Sequence, residues 1–206
     1  MKVILLNGSP NQEGCTYTAL KEVAGSLNKN GVETEIVWMG KSVSSGCTAC
    51  GACKKTGRCI FTEDMVNEVL EKMERADGFV VGSPVYYASP NGSIVSFLDR
   101  LFFAGSCFGY KPAAAIASAR RAGTTATLDM LNKYFTISNM MVVSSQYWPM
   151  VHGSCPDDVR KDEEGMQTMR VLGANMAWLL KCIEAGKEAG VNLPELEERK
   201  KTNFIR

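Results

Sequence analysis

Short apolar runs alternate with amphipathic stretches along this chain, and that alternation admits few folds. The first unit sets the pattern. Val3-Ile4-Leu5-Leu6 stops abruptly at a polar loop, Asn7-Gly8-Ser9-Pro10-Asn11-Gln12-Glu13-Gly14. Cys15-Thr16-Tyr17-Thr18 then opens a helical pattern that closes at Asn30-Gly31. A run apolar at every position reads as a strand buried on both faces, as in a parallel sheet. Val32 to Trp38 alternates instead, which suits a second strand with one wet face at a sheet edge. Gly78 to Ser83, Ala113 to Ala119 and Met140 to Ser144 supply the third, fourth and fifth strands. Between them lie helical stripes: Met65, Val66, Val69, Leu70 and Met73, capped by Thr62; Ile94, Val95, Leu98, Leu101 and Phe102; and Leu128, Leu131 and Phe135, capped by Thr124 or Thr125. Residues 157 to 189 read as one long final helix.

Five strands alternating with helices imply a parallel α/β sheet with right-handed crossovers and helices on both faces. A length of 206 residues favours an open doubly wound sheet over a barrel of about 250 residues. We read residues 1–190 as one domain, with a cysteine-rich insert at 39–60 and a charged tail at 191–206. The net charge of +1 argues against a nucleic-acid-binding surface. No apolar run approaches the roughly 20 residues needed to cross a bilayer, and residues 1–6 lack the basic region and long apolar core of a signal peptide. The expectation is a cytoplasmic protein without a membrane partner.

Ligands of such sheets bind beyond the carboxyl ends of the strands. The first loop there offers the unpaired N–H groups of a helix start and the hydroxyls of Ser9, Thr16 and Thr18. It has no Lys or Arg and carries Glu13, so a phosphate would be held by neutral donors. Neither GxxxxGK[ST] nor GxGxxG occurs, which disfavours NTPases and dinucleotide folds. The second loop, Gly82-Ser83-Pro84-Val85-Tyr86-Tyr87, adds close backbone approach and aromatic faces. The third, Ser118 to Thr125, adds Arg120, Arg121 and Gly123. A flavin mononucleotide (FMN) needs these three things: a phosphate nest, a surface for a flat ring, and polar groups at the ring's pyrimidine edge. Plainer readings stand beside each: ordinary turn residues, half-buried loop aromatics, solvated arginines. Cys15 is either an activated thiol at a helix start or simply a small residue. His152, the only histidine, and Trp148 sit in a late loop as a candidate proton donor and ring cover, or as structural residues.

Eight cysteines are many for this length. Four of them, Cys47, Cys50, Cys53 and, five residues later, Cys59, share one insert punctuated by Gly46, Gly51 and Gly57. Compact four-thiolate spacing suits an iron–sulfur cluster. Zinc sites more often pair two CxxC knuckles across a longer spacer. Free or disulfide-forming thiols are the remaining reading. Cys107, Cys155 and Cys182 lack such spacing.

Gly8-Ser9-Pro10 with Gly14 and Thr16, followed by Gly82-Ser83-Pro84-Val85-Tyr86, resembles the flavodoxin-fold NAD(P)H-dependent FMN reductases over most of residues 1–145. The run Cys47–Cys59, followed by Glu63-Asp64, resembles their iron–sulfur flavoprotein subgroup. The resemblance implies a flavodoxin-like sheet of strand order 2-1-3-4-5. It implies FMN contacts from Ser9, Asn11, Gly14, Cys15, Thr16, Tyr17 and Thr18, from Pro84, Val85, Tyr86 and Tyr87, and from Ser118, Arg120 and Gly123. It implies a [4Fe–4S] cluster on Cys47, Cys50, Cys53 and Cys59, NAD(P)H as electron donor, a small-molecule acceptor or redox protein as partner, and dimers or tetramers. Cys15 departs from relatives that carry Asn or Ser there. Two other readings remain: a reductase whose cysteine loop is only structural, and a non-catalytic nucleotide- or zinc-binding module.

Overall fold

The computed structural model describes residues 1–198, 200 and 202. The chain runs β1 (Lys2–Asn7), α1 (Cys15–Lys29), β2 (Glu33–Trp38), α2 (Cys53–Thr56), α3 (Val66–Arg75), β3 (Gly78–Tyr86), β4 (Ser89–Pro90), α4 (Gly92–Ala104), β5 (Pro112–Ala119), α5 (Thr124–Ile137), β6 (Met141–Val142), β7 (Met150–His152), α6 (Pro156–Lys161) and α7 (Glu163–Glu188). The main sheet has the order β2-β1-β3-β5-β6, all parallel. The side-chain period of two splits the core in two. Ile4, Leu6, Phe79 and Val81 face α3, α4 and α5, whereas Val3, Leu5, Val80 and Ile116 face α1 and α7. β5, built from Ala, Ser, Ile and Pro, is buried at every position, so its small side chains let helices approach from both sides. No helix among the described residues is long and apolar enough to cross a membrane.

Several elements depart from the sequence expectation, and each departure has a local cause. The expected fifth strand, Met140 to Ser144, shortens to β6, and β7 forms inside the late loop that holds Trp148 and His152. β6 pairs with Pro112 and Ala113, the chain leaves the ladder after Val143, and β7 rejoins opposite Ala117–Ala119. α7 holds the excursion: Asn175 Nδ2 donates to Ser144 O (2.9 Å), and Ser145 Oγ donates to Thr168 O (2.7 Å). The sheet therefore has seven strands, the two beyond the expected five being β7 and β4, a short antiparallel return on β3. The long last helix is two helices, because Asp162 caps α7 through Gly165 N (3.0 Å) and also accepts from His152 N (2.6 Å). Thr62 caps nothing. α3 starts at Val66, whose N–H reaches Asp64 Oδ1 at 3.4 Å. Neither Thr124 nor Thr125 caps α5, since that position falls on Gly123, at φ 87°.

The edge strand β2 is guarded by charge. Glu35 lies between Lys2 Nζ (2.8 Å) and Lys72 Nζ (2.9 Å), which discourages pairing with another strand. On the opposite face α7 crosses α1 closely at Gly173. A Cβ there would lie 2.7 Å from both Ser26 Cβ and Val23 O. Gly25, exposed on α1, has nothing within 4 Å. Gly173→Ala is therefore expected to lose about 1–3 kcal/mol by overpacking, and Gly25→Ala to gain about 0.5–1 kcal/mol from helix propensity. Urea unfolding of the two variants reads the opposite signs.

Candidate functional site

β1, β3, β5 and β7 end on one edge, and their loops are tied together there. Asn7, fully buried, donates through Nδ2 to Gln12 O (2.9 Å) and accepts from Ser9 N (3.1 Å). Gly8 N donates to Gly82 O (2.9 Å), and Asn91 Nδ2 donates to Gly8 O (2.9 Å). Trp38 Nε1 donates to Ser9 O (2.8 Å). Asn11 N donates to Ser9 Oγ (3.1 Å). These bonds fix the loop's shape with uncharged groups. Gly14 then begins α1 without a side-chain cap, and the first turn carries no acid. The unpaired donors facing the loop are thus backbone N–H groups at the positive end of a 15-residue helix.

Two of the hydroxyls also have partners inside the protein. Thr18 Oγ1 donates to Gly14 O (3.1 Å), and Thr16 Oγ1 bonds Ser118 Oγ (2.8 Å). The second of these links the first loop to the third. The second loop is in register with the third, Pro84 opposite Ser118. Gly123 closes against it, since a Cβ there would lie 2.7 Å from Val85 Cγ1 and 3.1 Å from Ala88 Cα. Tyr86 and Tyr87 form the tip of the β3–β4 hairpin. Tyr87 is fully exposed and takes the left-handed conformation at φ 57°, which costs a non-glycine residue energy. Arg120 and Arg121, three and two residues before Gly123, are exposed. Burial, with Cys155 adding to it, pushes the Cys15 thiol up, which is the reverse of activation. His152, next to Ala119 in the ladder, has Nδ1 3.7 Å from Asp162 Oδ2. A helix start without a side-chain cap, beside exposed aromatics, suits a phosphate that carries a planar ring.

The insert makes a second site. Cys47, Cys50, Cys53 and Cys59, all free thiols, line one cavity of about 150 Å³ together with Phe61, Arg100 and Phe103. Cys53 Sγ lies 3.5 Å from Phe103 O. Among the described residues no three His, Cys, Asp or Glu side chains converge as they would on a single ion. Four thiols lining one cavity are the donor set that an iron–sulfur cluster would take, and equally that of a four-thiolate zinc site.

Arg100, which the sequence reading passed over, organises this cavity. It is 1% exposed on α4. It bonds Asp64 through Nη1 (2.5 Å) and Nη2 (3.1 Å), Cys59 Sγ through Nε (3.2 Å), Ser44 Oγ (3.1 Å), Ser45 O (3.3 Å) and Phe61 O (3.0 Å). Asn91 was also passed over, although Pro90-Asn91-Gly92-Ser93 carries a helix-start signature and its side chain accepts from Ser93 N at 2.7 Å.

A model of the NADPH-dependent FMN reductase family matches residues 1–154. The chain belongs to that family. An iron–sulfur flavoprotein of Methanocaldococcus jannaschii is 32% identical over 194 residues, covering 89% of this chain and all of that one. An iron–sulfur flavoprotein of Methanosarcina thermophila is 28% identical, covering 91% of this chain and all of that one. The solved structure of a flavodoxin from the domain Archaea superposes with a TM-score of 0.60 at 15% identity, over 88% of this chain and 99% of that one. The fold is flavodoxin-like and the family is one of flavoprotein oxidoreductases.

Burial alone would raise the Asp64 carboxyl, but hydrogen bonds from Arg100, Ser44 and Val66 prevail and hold it below its ordinary value. A depressed folded pKa gives stability that is complete above the unfolded value, about 3.9, and is lost as pH falls through the folded value. Hydrogen exchange is expected to show residues 44–64 opening below about pH 4 before the sheet does. Asp64→Asn removes that acid step.

Proposed function

We propose that this protein is an FMN-dependent oxidoreductase that takes electrons from NAD(P)H or a one-electron donor and delivers them to a small acceptor (a flavin, quinone, nitro or azo compound) or to a redox protein. The observation that carries this reading is the Thr16–Ser118 hydrogen bond, which links the helix start to the Arg120 loop, with Pro84 opposite Ser118 in the ladder. The bound FMN supplies the electron-carrying chemistry. The first-turn N–H groups of α1, with Ser9, Asn11, Gly14, Cys15, Thr16, Tyr17 and Thr18, hold the phosphate. Pro84, Val85, Tyr86 and Tyr87 contact the ring, and Ser118, Arg120 and Gly123 meet its polar edge. No nucleophile is needed: these residues would orient the ring for electron transfer.

We assign Cys47, Cys50, Cys53 and Cys59 as the ligands of a [4Fe–4S] cluster, supported by their shared cavity and by the names of the relatives. Functional units are dimers or tetramers, consistent with exposed Phe103, Trp148 and Trp178. The lack of three convergent ligands favours a second reading, in which the cysteine loop is only structural. Replacing all four cysteines with serine decides between them. Under the first reading, transfer to a protein acceptor falls by at least about tenfold while NAD(P)H still reduces the flavin. Unchanged transfer supports the second.

Arg120→Ala tests the ring-edge assignment. Loss of its positive charge is expected to lower the flavin's reduction potential, measured by anaerobic dye titration with FMN still bound. An unchanged potential removes Arg120 from the ring edge.

A further inference from the structure

The four thiols are not equivalent. Cys47 and Cys50 are exposed, and Cys53 points its S–H at the carbonyl of Phe103, a bond that vanishes once the thiol is deprotonated. Among the described residues Cys59 is the one of the four whose sulfur receives a side-chain N–H, from Arg100 Nε at 3.2 Å. The guanidinium is locked in that direction. Its other two nitrogens are occupied by Asp64, Ser44, Ser45 and Phe61, and its face lies over the Phe61 ring at 5.1 Å. Ser45 lies two residues before the first cysteine of the insert and Phe61 two residues after the last, so one side chain clamps both ends of the loop. Asp64 balances the guanidinium charge, and what the site presents to Cys59 is a fixed N–H dipole.

The same helix reaches the other site. Asn91, at the start of α4, donates to Gly8 O and accepts from Ser93 N, while its backbone N–H donates to Ser83 Oγ (3.2 Å). Nine residues of helix, about 14 Å at 1.5 Å per residue, separate Asn91 from Arg100. α4 is a strut with the phosphate loop at one end and Cys59 at the other.

We propose that Arg100 is a positioning residue that fixes Cys59 by its Nε–H hydrogen bond and raises the reduction potential of the cluster held there. The proposal rests on the cluster assignment made above. Reduction adds one electron to the cluster from the flavin or an external one-electron donor, and no bond is broken. The added negative charge falls partly on the ligating sulfurs. A donor already aimed at one of them stabilises the reduced form more than the oxidised form. Lysine at this position cannot reproduce the effect, because a single ammonium cannot bond Asp64 in a fork and Cys59 together.

The test uses full-length protein reconstituted anaerobically with iron and sulfide: wild type, Arg100→Gln, Arg100→Lys and Asp64→Asn. The readouts are the cluster's midpoint potential, from redox titration followed by electron paramagnetic resonance, and the rate of iron loss to a chelator. Arg100→Gln and Arg100→Lys are expected to shift the midpoint downward and to lose iron about 10- to 100-fold faster. Asp64→Asn leaves the Arg100 charge uncompensated and is expected to shift the midpoint upward. A role in folding alone does not give opposite signs. Iron-loaded variants that keep the wild-type midpoint, or that all shift in one direction, overturn the role of Arg100 and leave the cluster assignment standing. Wild-type protein that takes up no iron overturns both. If Arg100→Gln does not fold, Asp64→Asn carries the test: an upward shift supports the proposal and an unchanged midpoint overturns it.

Discussion

A guanidinium buried to 1% exposure among Phe97, Leu101 and Ala104 is stable only if every donor is satisfied and its charge is balanced. In this protein Arg100 meets that demand by gathering chain from outside the helix. Asp64 balances it, Ser44, Ser45 and Phe61 take the remaining bonds, and Cys59 receives the last N–H. An insert with no hydrophobic periodicity is thereby folded onto the domain. The cysteine cavity is a consequence of that satisfied charge, not of a packed core of its own.

The candidate flavin site is governed by the opposite economy of means. No charged side chain fixes the first loop. Asn7, Asn91 and Trp38 hold it through backbone groups, and the hydroxyls of Thr16 and Ser118 join it to the third loop. That leaves the N–H groups of the α1 start without a competing side-chain cap or an acid in the first turn. A rigid cradle of neutral donors costs nothing in reorganisation when an anion arrives. α4 connects this cradle to the cysteine cavity, so the separation between the two is set by a helix and not by a loop.

What was legible in the sequence follows from which signals are local. Val3 to Leu6 and Gly78 to Ser83 announce strands buried on both faces, and a parallel sheet follows from the helices between them. The alternation of β2 marks it as an edge strand, whereas the rest of the strand order is implied only by the family resemblance. The fifth strand misled because its shortening depends on Asn175 and on the carbonyl of Thr168, both on α7 and more than 20 residues away. The hydroxyls of Thr16 and Thr18 are visible in the sequence as possible donors, but the bond that ties Thr16 to Ser118, 102 residues away, is not. Arg100 had a visible signal after all. Phe97, Arg100, Leu101 and Ala104 stand at i, i+3, i+4 and i+7, so a cation occupies the buried arc of an apolar helix. Its partners lie 36 to 56 residues earlier, and no spacing rule reaches them.

We propose that one domain holds a flavin in a neutral cradle and a metal cluster in an arginine-clamped cysteine loop. Anaerobic purification followed by an absorbance spectrum and metal analysis tests both halves on one sample. The expected result is about one FMN and about four iron atoms per chain, with flavin and broad iron–sulfur absorbance superposed. A protein that binds no FMN when it is supplied, or that carries zinc in place of iron, contradicts it.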